Sequence, residues 1–250
     1  MRVVAASVVA LVIASSAGAA GSSDLTGHVW LLTSLSGKGP VPGTSPTMEF
    51  ASSKVSGSTG CNSYSGGYTA GLRTLRVNQP IATTMKACSP AISAQEKSFL
   101  AMLDKVRRYA VRGDALTLRG SAGNQLATLK AQTQGLAGTS WRVTAYNNGK
   151  QAVTSVAAGT KLTAVFSKSA VSGSGGCNTY DAPYTATPPK ISFGPIAATR
   201  KNCPSPAGVM TQETAYFTAL GTARTYKVEG STLELRTGSG ALAVELTRAG

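Results

Sequence analysis

The carboxylates and the single histidine are the side chains that could carry out acid and base chemistry in this chain. Two of Glu49, Glu96 and Asp104 could act as acid and base in glycoside cleavage. The sequence contains no GxSxG, HExxH or P-loop motif, and His28 has no counterpart in the second half of the chain. We therefore expect no enzyme, no metal and no cofactor, with an unrecognised hydrolase site at Glu96 and its equivalent Glu213 as the alternative.

The chain contains two copies of one unit, because the same short segments recur in the same order about 111 to 117 residues apart. The matching segments are residues 60–64 with 176–180, residues 80–84 with 195–199, Trp30 with Trp141, and Glu96 with Glu213. This period is longer than that of a solenoid unit. The sequence predicts two domains, residues 25–131 and 136–249, joined by a linker at residues 132–135.

Each copy combines several strand patterns with one helical pattern. The tryptophan of each copy opens a strand, and a Gly/Pro-rich loop at residues 37–46 leads to the next strand of the first copy. Ser93 and Glu96 match a capping box at the start of the helix. The helix then carries apolar residues on one face: Phe99, Met102, Leu103 and Val106. We expect an α+β fold in which each domain is a small, mostly antiparallel meandering sheet or partial barrel packed by one helix.

The four cysteines lie two per copy at equivalent positions. Four cysteines allow three pairings, but the duplication selects Cys61 with Cys88 and Cys177 with Cys203. A zinc site would need CxxC pairs or a thiolate set that bridges the two domains, and the sequence contains no CxxC pair. We expect two structural disulfides, each contributing about 3 to 4 kcal/mol through loop closure.

The Gly-Cys-Asn-x-Tyr segments hold the candidates for a binding site. Asn62 and Tyr64, with their equivalents Asn178 and Tyr180, could present an amide and a phenol to a ligand beside each disulfide. Glycine and asparagine are also the residues that a bulge or a sharp turn needs, because both tolerate positive φ. The sequence favours the turn and leaves the ligand site as the alternative.

Charge is the second feature that points to a partner. The formal net charge is +14, and both copies are basic. Lys105, Arg107, Arg108 and Arg112 lie at and just beyond the end of the predicted helix, where they could hold an acidic protein or an anionic cell-envelope component. The alternative is a solvated face that only keeps the protein soluble. Nucleic acid is not expected as a partner, because neither copy shows an RRM, KH or helix-turn-helix pattern.

The first 20 residues have the pattern of a signal peptide. Arg2 precedes an apolar run at residues 3–13, and the small residues Ala17 and Ala19 fit a cleavage site. The run is shorter than the roughly 20 residues that span a bilayer, and no later stretch is long and apolar enough to do so. We expect a secreted or envelope protein without a transmembrane segment, and a monomer.

Together these residues resemble the META domain, also called the HslJ-like family. The resemblance rests on the order of tryptophan, Val-Ser-Gly, Gly-Cys-Asn-x-Tyr, Ile-Ala-x-Thr with a second cysteine, and a glutamate on the helix. It covers both copies, and it implies an exported or envelope-attached bacterial protein with a link to stress such as heat shock. The family has no established enzymatic activity, so the resemblance implies no catalytic residues. The two copies and the lack of a lipid-attachment cysteine depart from the usual pattern.

Two functions fit these observations. The first is a non-enzymatic, stress-related envelope binding protein, in which a linker that lets both copies engage would give avidity. The second is a secreted inhibitor of proteases or other hydrolases, in which the disulfide scaffold presents a loop such as residues 37–46.

Overall fold

The computed structural model describes residues 22–150 and 152–249 of the chain. The predicted signal peptide, residues 1–20, lies outside the described residues. A short 3-10 helix, Ser22–Leu25, precedes the first strand. Leu25 is fully buried, and its carbonyl accepts a hydrogen bond of 2.9 Å from the indole Nε1 of Trp30. The two buried residues thereby fix the entry of the chain into the first copy.

The first copy contains nine strands and one helix. They are β1 (Val29–Leu35), β2 (Thr47–Ala51), β3 (Lys54–Ser58), β4 (Ser63–Ala70), β5 (Leu75–Val77), β6 (Ala82–Thr83), α1 (Pro90–Lys105), β7 (Arg108–Arg112), β8 (Ala115–Arg119) and β9 (Gln125–Ala131). The Gly-Cys-Asn residues form the turn between β3 and β4, and the tyrosine that follows them lies on β4.

The second copy repeats this order with one additional short strand. Its elements are β10 (Thr139–Asn147), β11 (Val153–Ser155), β12 (Thr163–Phe166), β13 (Ala170–Ser174), β14 (Thr179–Thr187), β15 (Lys190–Phe193), β16 (Ala197–Ala198), α2 (Val209–Thr222), β17 (Ala223–Glu229), β18 (Thr232–Thr237) and β19 (Leu242–Arg248). The additional strand, β11, pairs only with β10 among the described strands.

Each copy winds its strands into an antiparallel barrel. In the first copy the strand order is β5-β4-β3-β2-β1-β9-β8-β7, and a bridge between Thr74 and Arg108 joins the two ends. In the second copy β15 pairs with β17 at Lys190 and Thr225, and β10 pairs with β19, so the ring closes. Alternating burial along the strands, as in β14, places apolar side chains inside. The α+β fold expected from the sequence is confirmed.

One helix packs against the inside of each barrel. Phe99 and Leu103 of α1 are fully buried, as is Val106 directly after the helix, which confirms the predicted apolar face. The second helix buries Tyr216 and Leu220 at the matching positions. Each copy has its own buried cluster, centred on its own tryptophan and helix. The two copies are thus separate units of packing.

The predicted capping box is wrong. Helix α1 begins at Pro90, three residues before Ser93, and the amide of Ser93 already donates to the carbonyl of Ser89. Proline fits the first turn of a helix because its missing N–H would have no partner there. The Glu96 side chain therefore does not cap the helix, and it accepts hydrogen bonds from Thr59 and Asn62.

The segment between the copies is hydrogen-bonded to the second copy. Gln132 donates to the carbonyl of Gly230 at 2.7 Å and accepts from its amide at 2.8 Å. Gln134 does the same with Val228, at 2.9 and 2.7 Å. The side-chain amides of Gln132 and Gln134 thus bond to the backbone of β17 and of the turn after it, in the way that the backbone of a neighbouring strand would. This segment is held in place and does not act as a free tether.

Candidate functional site

The side chain of Asn62 is the buried centre of a polar cluster in the first copy. Its Oδ1 accepts from the Thr84 hydroxyl at 2.8 Å and from the Lys86 amide at 2.7 Å. Its Nδ2 donates to the Lys86 carbonyl and to Glu96, both at 3.3 Å. We call Asn62, Thr84, Lys86 and Glu96 the asparagine cluster. It joins the turn before β4 to the loop after β6, which supplies Thr84 and Lys86, and to helix α1, which supplies Glu96.

The second copy builds the same cluster around Asn178. Its Oδ1 accepts from Thr199 at 2.6 Å and from the Lys201 amide at 2.7 Å, and its Nδ2 donates to Glu213 at 2.6 Å. The other Glu213 oxygen accepts from the backbone amides of Cys177 and Asn178. In the first copy the corresponding glutamate oxygen accepts from Thr59 at 2.6 Å.

The difference between the clusters has a steric cause. Gly175 stands where the first copy has Thr59, and a Cβ at Gly175 would lie 2.7 Å from Glu213 Oε2. The glycine therefore gives the carboxylate room to approach the backbone amides. Glu213 is only 5% exposed, and a carboxylate buried so deeply needs these charge-assisted hydrogen bonds.

The tyrosines of the Gly-Cys-Asn-x-Tyr segments also point inward. Tyr64 donates to the carbonyl of Thr47 at 3.0 Å, and Tyr180 donates to the equivalent carbonyl of Thr163 at 3.0 Å. The Tyr180 hydroxyl also lies 2.7 Å from that of Tyr216. Burial raises the pKa of Tyr180 to about 12. These phenols therefore stay protonated at neutral pH and serve as internal hydrogen-bond donors.

The predicted disulfides are confirmed. Cys61 pairs with Cys88, and Cys177 pairs with Cys203, with Cα–Cα distances of 6.3 and 5.9 Å. Each bond lies beside its asparagine cluster, and Asn62 Nδ2 is 3.5 Å from the sulfur of Cys88. Disulfide and asparagine thus fasten the same loop to the barrel by one covalent and several polar contacts.

A glutamine that the sequence analysis did not single out extends each cluster. Gln95 accepts from the amide of Val41 at 2.6 Å and donates to the carbonyl of Thr59 at 3.0 Å. Its equivalent, Gln212, accepts from Ala157 at 2.7 Å. Two repeated sequence patterns could have identified the partners of the asparagines. They are a Gln-Glu pair and a Thr-x-Lys-x-Cys pattern, both present in each copy. Gln95 pins the loop at residues 37–46 to helix α1.

The acid and base candidates of the first copy have separate surroundings. Glu96 belongs to the asparagine cluster, Glu49 forms an ion pair with Lys227, and Asp104 is exposed near the end of α1. The ring of the exposed His28 is tilted by 58° relative to that of Trp30, with 5.0 Å between the ring centres. Within residues 22–150 and 152–249, no three His, Cys, Asp or Glu side chains form a group that could hold a metal ion.

The two copies meet through the hairpin of β17 and β18. Thr47 donates to Glu229 at 2.8 Å, and Lys227 lies 2.9 Å from Glu49 and 2.8 Å from Glu229. Burial alone would lower the pKa of Lys227, but hydrogen bonds to Glu229 and Glu49 and their charges raise it. The ammonium therefore stays charged between two carboxylates, one from each copy.

A polar cleft of about 380 Å³ lies beside this contact. Ser58, Ser63 and Lys86 of the first copy line one wall. Glu234 and Glu245, which are directly opposite each other on β18 and β19, line the other. The cleft faces the first disulfide, because Cys61 also belongs to its lining.

The basic residues after α1 lie at the place where the first barrel closes. The amide of Arg107 donates to Arg119, and Arg108 is paired with Arg119 across β7 and β8. The carbonyl of Arg73 accepts from Tyr109 of β7. The sequence placed Arg112 in the same group, but it lies at the far end of β7, opposite Ala115. Closure of the barrel thus adds Arg73, from before β5, and Arg76, on β5, which the sequence alone does not connect with this group.

No helix in the described part of the chain has the length and apolar character needed to cross a membrane.

A search of curated proteins finds no match to this chain. Two solved structures are similar. An NMR structure of a protein from Burkholderia xenovorans is 28% identical, with a TM-score of 0.39, over 46% of this chain and 83% of that chain. A second NMR structure is 25% identical, with a TM-score of 0.37, over 44% and 92%.

One family model matches both copies of the chain. The META domain matches residues 23–133 and again residues 134–249. The two matches follow each other without overlap and together cover almost all of the described chain. The chain therefore belongs to the META domain family and carries two tandem META domains.

Proposed function

We propose that this protein is an exported, non-enzymatic binding protein of the cell envelope. One observation carries the proposal. The two asparagines that the copies share, Asn62 and Asn178, are buried, and each is hydrogen-bonded to the glutamate of its own copy. Charged residues that only the first copy has, such as Arg76 and Arg108, are exposed. The shared asparagines therefore stabilise the fold, and we infer that the exposed residues of the surface carry the function. A role in envelope stress is what the META resemblance adds.

Export is supported by the predicted signal peptide and by the disulfides. All four cysteines are paired, and disulfides persist mainly in oxidising compartments outside the cytoplasm. A binding role without catalysis is supported by the glutamates at the clusters. Glu96 and Glu213 each accept at least two hydrogen bonds from the same copy, so their oxygens already have partners.

The test is direct capture of a partner. The mature chain, residues 21–250, would be immobilised and exposed to envelope and secreted fractions of its source, with washes of rising salt. An unrelated protein of similar size and net charge serves as the control bait. We expect saturable retention above this control. Retention equal to the control in every fraction would contradict the proposal.

The absence of catalysis is tested separately. Glycosidase and esterase substrates would be incubated with the wild-type chain and with a Glu96→Gln/Glu213→Gln variant. We expect no turnover above background from either protein. Turnover that the wild type shows and the double variant loses would establish an enzyme.

Inhibition of a hydrolase is the second candidate. The observation that favours it is the attachment of the loop at residues 37–46, where Gln95 holds Val41 and the Thr44 hydroxyl donates to the Val41 carbonyl at 2.7 Å. A loop that is fixed before binding loses less entropy when it binds. Protease rates measured with excess protein test this function, and a Gln95→Ala variant with a loosened loop should inhibit less than the wild type.

A further inference from the structure

Six cations gather at the closure of the first barrel, which we call the arginine seam. They are Arg73, Arg76, Lys105, Arg107, Arg108 and Arg119. The Thr74–Arg108 bridge brings the segment before β5 against β7, and β8 follows directly beside β7. Residues more than 30 positions apart in sequence thereby form one positively charged surface.

The seam is not neutralised by the protein. Within residues 22–150 and 152–249 there are four ion pairs, and none of them includes a member of the seam. Arg108 and Arg119 are directly opposite each other across β7 and β8, an arrangement that opposes folding because like charges repel. Such a cost is offset when an anion binds.

Two of the guanidinium groups are held in place. Arg107 Nη1 donates to the carbonyl of Val106 at 2.7 Å, and Arg119 Nη1 donates to the carbonyl of Gly123 at 2.9 Å. A carbonyl partner leaves the full positive charge and uses only part of the five N–H donors of an arginine. Both groups can therefore receive an oxyanion with little loss of side-chain entropy.

Open grooves flank Arg107 on two sides. One, of about 440 Å³, is lined by Thr69, Thr74 and Arg76 as well as Arg107. The other, of about 220 Å³, includes Lys105 and Asn124. Hydroxyl and amide groups beside guanidinium groups suit a ligand that carries oxyanions at intervals along a chain, since each groove can take one stretch of it.

The second copy shows that the barrel does not need this charge. At the places of Arg76, Arg108 and Lys105 it has Ser192, Thr225 and Thr222. Three cations remain there: Arg224, Arg236 and Lys190, which stands in the place of Thr74. Arg236, the equivalent of Arg119, forms an ion pair with Glu234 at 2.8 Å. Because both copies close in the same way, the seam is specific to the first copy and is not a requirement of the fold.

We propose that the arginine seam binds the repeated oxyanions, phosphate or carboxylate, of an anionic envelope polymer. The inference rests on the proposed function and names the ligand chemistry and the site. One polymer lying across both grooves would contact Arg107 at the centre. Its affinity would fall steeply with salt, because each phosphate or carboxylate contact releases a counterion.

The experiment uses the mature chain with two probes, inorganic polyphosphate and polygalacturonate, which separate the phosphate from the carboxylate source. Arg76→Ser/Arg108→Thr places the residues of the second copy in the seam. We expect this variant to raise the Kd for the preferred polymer about tenfold or more. We also expect it to lower the slope of log Kd against log salt concentration by about two. Arg142→Ser/Arg200→Ser removes the same charge from exposed positions of the second copy and should stay within about twofold of the wild type.

A reciprocal variant guards against a folding defect. Ser192→Arg/Thr225→Arg places two seam residues on the second copy and should strengthen polymer binding. Equal weakening by both charge-removing variants, or no binding of either probe by the wild type, would overturn the inference. A partner that resists high salt and is captured equally by the Arg76→Ser/Arg108→Thr variant would also overturn it, while leaving the proposed binding function intact.

Discussion

Gly230 tests whether the hairpin of the second copy fastens the two copies together. Gly230 and Gly113 occupy the same turn of the two copies, with φ angles of +59° and +58°. A Cβ at Gly113 would meet nothing within 4 Å, whereas a Cβ at Gly230 would lie 2.9 Å from Ser45 Cβ and 3.0 Å from Ser45 O. Alanine at either position enters the left-handed region, which costs about 1–2 kcal/mol. Only Gly230→Ala also pushes the hairpin away from the first copy.

The contacts around Gly230 set the additional effect. Displacing the hairpin strains both hydrogen bonds between Gly230 and Gln132, and it strains the bond from Thr47 to Glu229. A typical hydrogen bond contributes about 0.5–1.5 kcal/mol net, so losing two or three of them adds about 1–4 kcal/mol. We expect Gly230→Ala to cost about 2–6 kcal/mol in total, and Gly113→Ala only the backbone term.

Proteolysis of the linker distinguishes this docking effect from a general loss of stability. Subtilisin would be applied to the full mature chain under native conditions, and cleavage at residues 132–135 would be followed by mass. Local opening of the linker controls this rate, so we expect Gly230→Ala to raise it at least about tenfold. Gly113→Ala should cleave there at the wild-type rate. Equal linker cleavage in the two variants would refute the role of the hairpin.

Three further outcomes follow from the buried polar groups and the disulfides. Asn62→Ala should destabilise the first domain, and Asn178→Ala the second, each by about 2–4 kcal/mol in calorimetry. The reason is that the cluster glutamate and the backbone of Lys86 or Lys201 lose the partner that the buried asparagine supplies. Because the pKa of Tyr180 is raised to about 12 in the folded protein, its protonated phenol contributes fully to stability below pH 10. That contribution is lost as the pH rises from 10 towards 12, at about 1.4 kcal/mol per pH unit. Urea midpoints at pH 9 to 11.5 should therefore fall, and fall less for Tyr180→Phe. Replacing Cys61 and Cys88 by serine should lower the stability of the first domain by about 3–4 kcal/mol and leave the second domain unchanged.

The duplication made much of the fold predictable. A position that recurs in both copies has the same neighbours in both, so the cysteine pairs and the helix face could be derived by matching Cys61 with Cys177 and Phe99 with Tyr216. The capping box failed because a Ser-x-x-Glu pattern is local, whereas Glu96 takes its partner from a turn more than 30 residues away. The hydrogen bond between the buried Asn62 and Glu96 therefore determines the position of the Glu96 side chain, and the local capping pattern does not.

The direction of a side chain was not predictable from the sequence. Asn62 and Tyr64 were correctly identified as a repeated feature, but spacing alone does not say whether an amide faces a ligand or a loop. Arg73 and Arg76 could not be joined to Arg107 for a related reason, since only closure of the barrel brings them together. The role of Gln132 was also hidden, because its counterpart in the second copy, Ala249, makes the equivalent backbone hydrogen bond but has no side-chain amide.

The comparison of the two copies also limits how this protein can bind. Two identical sites on a free tether would give avidity, but Gln132 and Gln134 hold the linker against β17. The docking surfaces are unlike: the second copy offers Lys227 and Glu229, where the first copy has Ala110 and Arg112. The arginine seam likewise belongs to one copy. The two copies therefore offer different surfaces, so the Arg76→Ser/Arg108→Thr variant should weaken polymer binding without compensation from the second copy.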